Sequence, residues 1–318
     1  MVNISVFFDG TGNNKDVDEG SQKWSNVARL WRSAFFLFGK GKPNYPIYIS
    51  GVGTPYNGNA SNWLDKAVIA AEDNDFTGGG VGAGGARRTE LGQRNVNDTL
   101  RNVLIANAKQ LGGTAKAYAE KSKDQSYSEL GKALKAHRLI KFINLSIFGF
   151  SRGAALARAF SNDFLKQCER DKDGRLTYEG YPIRIHFMGL FDTVASFGVP
   201  AGNVDLPFDE RNLVVPECVE RCVHLVAGHE LRFSFPVDLI RHKGKLKAGW
   251  REEVYPGVHS DVGGGYLPVD QGLSNNYARI PMREMMREAV IHGVRMLGCA
   301  DIEKASNQLF TARFAIAP

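Results

Sequence analysis

Residues 149 to 153 read Gly149-Phe150-Ser151-Arg152-Gly153, a G-x-S-x-G pentapeptide between two segments of opposite character. Before it lies the apolar run Ile140 to Phe148, of which Phe142 to Phe148 has the length and the β-branched and aromatic content of a buried parallel strand. After it, Ala154 to Lys166 has the alanine and leucine content of a helix. A strand, a sharp turn at a serine and a helix form a nucleophile elbow. The glycines are needed because the strained turn brings its neighbours close to the helix, where a side chain would collide. The Ser151 Oγ is then presented to substrate, and the backbone N–H of Arg152, at the helix N-terminus, points to where an acyl oxyanion would form. This is the chemistry of acyl transfer on an α/β scaffold.

Such a serine needs a base and an orienting acid, which follow it in the chain in the order acid, then histidine. Ile183 to Phe191 reads as the next strand and stops at Asp192-Thr193, so Asp192 is the acid candidate, with Asp205, Asp238 and Asp261 as alternatives. Farther on, Glu253 to Val258 leads into His259-Ser260-Asp261 and then Gly263-Gly264-Gly265, a loop expected to carry His259 towards Ser151 as the base. Asp261 is expected to support that loop or cap its turn. Of the seven histidines, His137, His242 and His292 sit in charged or helical surroundings and His186 lies mid-strand. His224 and His229 belong to another strand-like run, Val223 to His229, and His229 remains the rival base.

The chain start predicts a second donor. Ile4 to Phe8 is a short apolar strand ending in Asp9-Gly10-Thr11-Gly12-Asn13-Asn14, a turn composition that frees backbone N–H groups. The backbone of Gly10 and Thr11 is the candidate second half of an oxyanion hole, beside Arg152. Asp9 and Asn13 lack the ligand spacing of a cation site. No metal is expected. Cys218 and Cys222 have no partner pair that would complete zinc spacing, and free thiols are expected, with a Cys218–Cys222 disulfide as the alternative if that segment is helical.

Gly80 to Gly85 satisfies G-x-G-x-x-G, but Ala71 to Thr77 does not read as the strand that a dinucleotide site requires. The glycines are expected to be an approach loop to a helix from Thr89 to Leu111, and no cofactor is expected. A chain of 318 residues with 43% hydrophobic content can bury one large core without disulfides, so a single domain over 1–318 is expected. Residues 112–137 read as a helical insertion or an exposed loop, and 200–250 as a second insertion, a lid in which Phe208, Phe233, Phe235 and Leu239 line an acyl groove or, for most of them, complete the core. The net charge of +6 suits an anionic membrane surface, and no basic block interleaved with aromatics points to nucleic acid. Ala34 to Phe38 is too short to span a bilayer. The N-terminus goes straight into strand without the regions of a signal peptide, so synthesis in the cytoplasm without general secretory export is expected.

Five blocks together carry a resemblance: Phe7 to Asn14, Gly51-Val52-Gly53-Thr54, Gly149 to Ala155, Gly189 to Val194, and Gly257 to Tyr266. In content and order they resemble the α/β-hydrolase domain of the type VI secretion lipase effectors of the Tle1-like kind. The resemblance implies an α/β-hydrolase fold with a mostly parallel central sheet flanked by helices and insertions near the active site. It implies a phospholipase of A1 or A2 type, acting on a phospholipid membrane surface and delivered by a type VI system into a target cell's periplasm. A secretion-apparatus component and an immunity protein are the partners it implies, and Ser151, Asp192 and His259 the triad. Members of that family are usually longer than this chain. The alternatives are a carboxylesterase on soluble esters and a non-catalytic interaction module on the same fold.

Overall fold

The computed structural model describes residues 1–39, 43–54, 80–122, 124–195, 213–232, 235–304 and 313–316, with only the backbone for 80–84. Six strands form a parallel array: β1 (Val2–Phe8), β2 (Asn44–Ile49), β3 (Ile143–Phe150), the long strand Tyr181–Phe191, and then Arg221–Ala227 and Arg251–Tyr255. Two short strands, β4 (Glu169–Arg170) and β5 (Leu176–Tyr178), precede the long one, so the last three are β6, β7 and β8. The parallel order is β2-β1-β3-β6-β7-β8, and β5 and β4 add antiparallel pairing beside the N-terminal half of β6.

Side-chain alternation along the strands feeds two cores. Ile4, Val6 and Phe8 of β1 and Ile143, Leu145 and Ile147 of β3 point to one face. There they meet α2 (Gly80–Leu111), α3 (Gly113–Lys121), α4 (Tyr127–Leu134) and α5 (Arg152–Leu165) through residues such as Val96, Leu100, Ala115, Leu130 and Phe160. Phe7, Phe148 and Phe150 point to the other face and pack with Val27 and Leu30 of α1 (Asn26–Phe35). Met282, Met285 and Met286, from the helix Arg279–Ile291, complete that second core. Both faces of the sheet are therefore covered, as the all-apolar strands demand. β3 is buried along its whole length, in keeping with its sequence.

Three expectations are corrected here. The helix α2 begins at Gly80, so the glycine run is its first turns and not an approach loop; residues 71–77 lie outside the described residues. Residues 112–137 form α3 and α4, whose Ala115, Ala119, Leu130 and Leu134 are buried, so the helical half of that expectation stands and the exposed loop does not. Within 200–250, Arg221–Ala227 is the sheet strand β7, so this stretch is not one continuous insertion; residues 200–212, with Phe208, and Phe233 lie outside the described residues.

The winding of the parallel array reverses between β1 and β3: β2 lies on one side of β1, whereas β3 and the later strands run the other way. Chain ends of neighbouring strands diverge at such a point and leave a crevice beyond their carboxyl ends. Asp9-Gly10-Thr11 follows β1 and Ser151 follows β3, so both border it.

Candidate active site

Ser151 stands between β3 and α5 with φ of 57° and ψ of −130°, a conformation that costs a non-glycine residue on the order of 1–3 kcal/mol. The surroundings hold it there. Its N–H donates to the Phe191 carbonyl at 3.0 Å and its own carbonyl accepts from Val194 N–H at 3.3 Å, which ties the elbow to the end of β6. A Cβ on Gly149 would lie 2.5 Å from Ala154 Cα, and one on Gly153 would lie 2.3 Å from the Asp9 carbonyl oxygen. The flanking glycines thus let the helix close on the strand and let the β1 loop close on the helix.

Asp192 ends β6 with φ of 37°, and its N–H donates to Leu225 O at 2.8 Å. One carboxylate oxygen, Oδ1, accepts from Ala227 N–H at 2.8 Å, and the other, Oδ2, lies 2.6 Å from His259 Nδ1. A carboxylate so placed fixes the proton on Nδ1 and leaves the Nε2 lone pair as the basic site. His259 is not on a flexible loop: it opens a one-turn helix, His259–Gly263, which follows β8. Its backbone N–H donates to Glu230 Oε2 at 3.2 Å, and Arg232 holds the Glu230 carboxyl down at about 2 through hydrogen bonds and charge. Asp261 braces the turn as expected, accepting from Val258 N–H at 2.8 Å and from the Tyr277 hydroxyl at 2.9 Å. The imidazole of His259 rests against Phe150, the neighbour of the serine, with ring centroids 4.7 Å apart, and meets Phe235 edge-on at 5.0 Å.

The competing residues go elsewhere. His229 Nδ1 accepts from Gly257 N–H at 2.9 Å, which supports the turn before His259. His224 is wholly buried and faces Thr193 and Glu252. Asp238 pairs with Arg158 at 3.1 Å, and Asp205 lies outside the described residues. Phe235 is half-buried against His259 and Leu239 is exposed, so neither belongs to the core.

At the β1 loop the expectation for Gly10 is corrected. Its N–H donates to Asp9 Oδ1 at 2.7 Å and so faces inward, because Asp9 is buried and needs donors for its oxygens. The Tyr48 hydroxyl takes the other Asp9 oxygen. Burial raises the Asp9 carboxyl to about 6, against the lowering effect of hydrogen bonds from Ser25, Tyr48 and Gly10. The adjacent Thr11 has its Oγ1 buried without a hydrogen-bond partner among the described residues. Arg152 is the first residue of α5, at the dipole's positive end. All four cysteines are free, and Cys222 lies in β7, which removes the helical disulfide alternative. Among the described residues no group of three or more His, Cys, Asp or Glu side chains is arranged to hold a metal ion, and no helix is long and apolar enough to cross a membrane.

No curated protein sequence matches the chain. An uncharacterized protein from Pseudomonas aeruginosa, known from its crystal structure, aligns over 99% of this chain at 29% identity with a TM-score of 0.75. This chain spans 49% of that protein's length. The Tle1 effector, solved bound to the VgrG spike of the type VI secretion system, aligns over 85% of this chain and 52% of its own, at 20% identity and a TM-score of 0.46. The family model described as the type VI secretion phospholipase effector Tle1-like catalytic domain matches residues 160–288, a segment that contains Asp192 and His259 and begins nine residues after Ser151. Over that segment the chain is similar to the catalytic domain of the Tle1-like type VI phospholipase effectors, the family that its motifs resemble.

Proposed function

We propose that the chain is the catalytic domain of a serine phospholipase of the type VI secretion effectors, built on an α/β-hydrolase fold, with Ser151, Asp192 and His259 as its triad. The observation that carries this reading is the 2.6 Å bond from His259 Nδ1 to an Asp192 carboxylate whose second oxygen is already held by Ala227 N–H. An acid clamped on one side and bonded to imidazole on the other stabilises an imidazolium without taking its proton. The parallel array with the serine at a carboxyl strand end supports the fold, and the match to a phospholipase effector domain supports the substrate class.

In this reading His259 Nε2 takes the Ser151 Oγ proton as the oxygen attacks an ester carbonyl. Arg152 N–H and a donor of Thr11 hold the oxyanion, and the imidazolium returns the proton to the leaving alcohol. Water activated by the same imidazole then cleaves the acyl-enzyme. The substrate is the sn-1 or sn-2 ester of a membrane phospholipid, reached after delivery by the type VI apparatus into a target cell's periplasm, with an immunity protein protecting the producer. Residues 1–318 act as one domain.

Phospholipid vesicles labelled separately at each acyl position test this directly. Wild-type protein releases fatty acid and lysolipid from one position and Ser151→Ala releases neither. Turnover of short soluble esters without vesicle hydrolysis would mark a carboxylesterase instead, and failure of a fluorophosphonate probe to label Ser151 would mark a non-catalytic module.

A further inference from the structure

One buried polar pair is not used by the chemistry above. His224 and Glu252 are direct partners in the parallel register of β7 and β8, and both side chains are almost completely removed from solvent. His224 Nδ1 lies 3.2 Å from Glu252 Oε2, and Glu252 also accepts from Ile240 N–H at 2.7 Å and from Arg241 Nε at 2.6 Å. On its far side, His224 Nε2 accepts the Thr193 backbone N–H at 3.1 Å, with Thr193 Oγ1 at 3.0 Å. A backbone amide can only donate, so Nε2 carries the lone pair and Nδ1 carries the proton directed at the carboxylate.

The peptide so captured is the one that joins Asp192 to Thr193. Asp192 is in the left-handed region at φ of 37°, which non-glycine residues seldom occupy. The other side of Thr193 is held as well, since its carbonyl accepts Asp238 N–H at 2.8 Å. Burying an imidazole and a carboxylate between two strands costs more than a pair of aliphatic side chains would, and an aliphatic pair would stitch β7 to β8 equally well. What an aliphatic pair lacks is an acceptor for Thr193 N–H.

We propose that His224 and Glu252 are positioning residues: a second imidazole–carboxylate pair that fixes the Asp192-Thr193 peptide and thereby aims the Asp192 carboxylate at His259. The inference rests on the triad proposed above, and the pair acts through Asp192 without touching substrate. Burial lowers the basicity of His224 against the opposing pull of Glu252, with Arg158 and Asp192 as the other charged groups facing it, which keeps the imidazole neutral and its Nε2 an acceptor. Glu252 stays ionised at about 2, because the bonds from His224, Ile240 and Arg241 outweigh the burial that opposes them.

His224→Leu and His224→Gln separate positioning from packing. Glutamine can place its amide oxygen near the position of Nε2 and accept Thr193 N–H, whereas leucine cannot. For His224→Leu, kcat on a soluble ester falls on the order of tenfold to a hundredfold with KM unchanged, and the proton resonance of His259 Nδ1–H, deshielded by its short bond to Asp192, moves upfield. His224→Gln retains kcat within about threefold and keeps the resonance, as expected of an acceptor that substitutes for Nε2. A His224→Leu protein that melts like wild type and keeps both kcat and the resonance overturns the proposal. Should His224→Leu fail to fold, Glu252→Gln serves: it removes the charge that fixes the His224 tautomer, so both readouts move in the same direction, and unchanged values overturn the proposal. The resonance also separates the two readings. If the wild-type protein turned over no ester, the hydrolase reading would fail, while the shift between variants would still decide whether the pair positions Asp192.

Discussion

Phe150 and His259 lie ring against ring, 4.7 Å between centroids, although 109 residues separate them in the chain. The contact matters because Phe150 is the last residue of β3 and its neighbour is Ser151: the imidazole is registered against the strand end that carries the serine. Gly263 makes this contact possible, for a Cβ there would fall 1.8 Å from the Phe150 ring.

Gly263→Ala should therefore destabilise the fold by about 3 kcal/mol, the range of an overpacked core, and lower activity by displacing His259. Phe150→Leu in the same chain should recover part of the stability, as coupled neighbours do. Denaturant unfolding of the two single variants and the double variant checks this, and strict additivity would contradict the contact.

Ser151→Ala should abolish ester turnover, by on the order of four to six orders of magnitude, with almost no change in melting temperature. The Ser151 side chain makes no capping bond to α5, so its loss removes no structural partner. Parallel calorimetry and turnover measurements distinguish this from loss of fold.

Asp192→Asn should cost about 10⁴ in kcat, because an amide in place of the carboxylate favours the wrong imidazole tautomer. KM should change little, since Asp192 is buried behind His259. A kinetic split between the two constants reads this directly.

Asp9 predicts a pH dependence. Its folded value near 6 exceeds the ordinary 3.8, so the folded protein binds the extra proton between these limits. Its contribution is therefore a cost, absent below pH 3.8, growing as pH rises and complete above about 6. Asp9→Asn escapes that cost. Its stability relative to wild type should increase between pH 4 and pH 7 by on the order of 1–3 kcal/mol and remain level above. Chemical unfolding at several pH values checks the sign, and a relative stability that falls with pH contradicts it.

The strand–turn–helix at Ser151 and the strand end at Asp192 were legible in the sequence because each is signalled locally, by an apolar run that stops at a polar residue or by glycines beside it. His224 and Glu252 were not legible as a pair. They are 28 residues apart and meet only through the β7–β8 register, which no local pattern encodes. The inward turn of Gly10 N–H was hidden for a related reason: it follows from the burial of Asp9 beneath Tyr48, a neighbour supplied by β2. The glycines from 80 onward misled because glycine disfavours helix interiors locally, yet here they begin a 32-residue helix whose later turns pack on the sheet. Hydrophobicity alone left Phe235 between groove lining and core, and its place against His259 appears only in the folded chain.

The strand order has a consequence in time. The candidate site draws on residues 11, 151, 192, 224, 252 and 259, and the strands that carry or precede these residues lie side by side in the order in which they leave the ribosome, outward from β1. The chain through β7 already contains Ser151, Asp192 and the Leu225 and Ala227 groups that hold Asp192, whereas His259 follows only after β8. Any hydrolysis that needs the Asp192–His259 pair therefore has to wait for β8 to take its place at the edge of the parallel array.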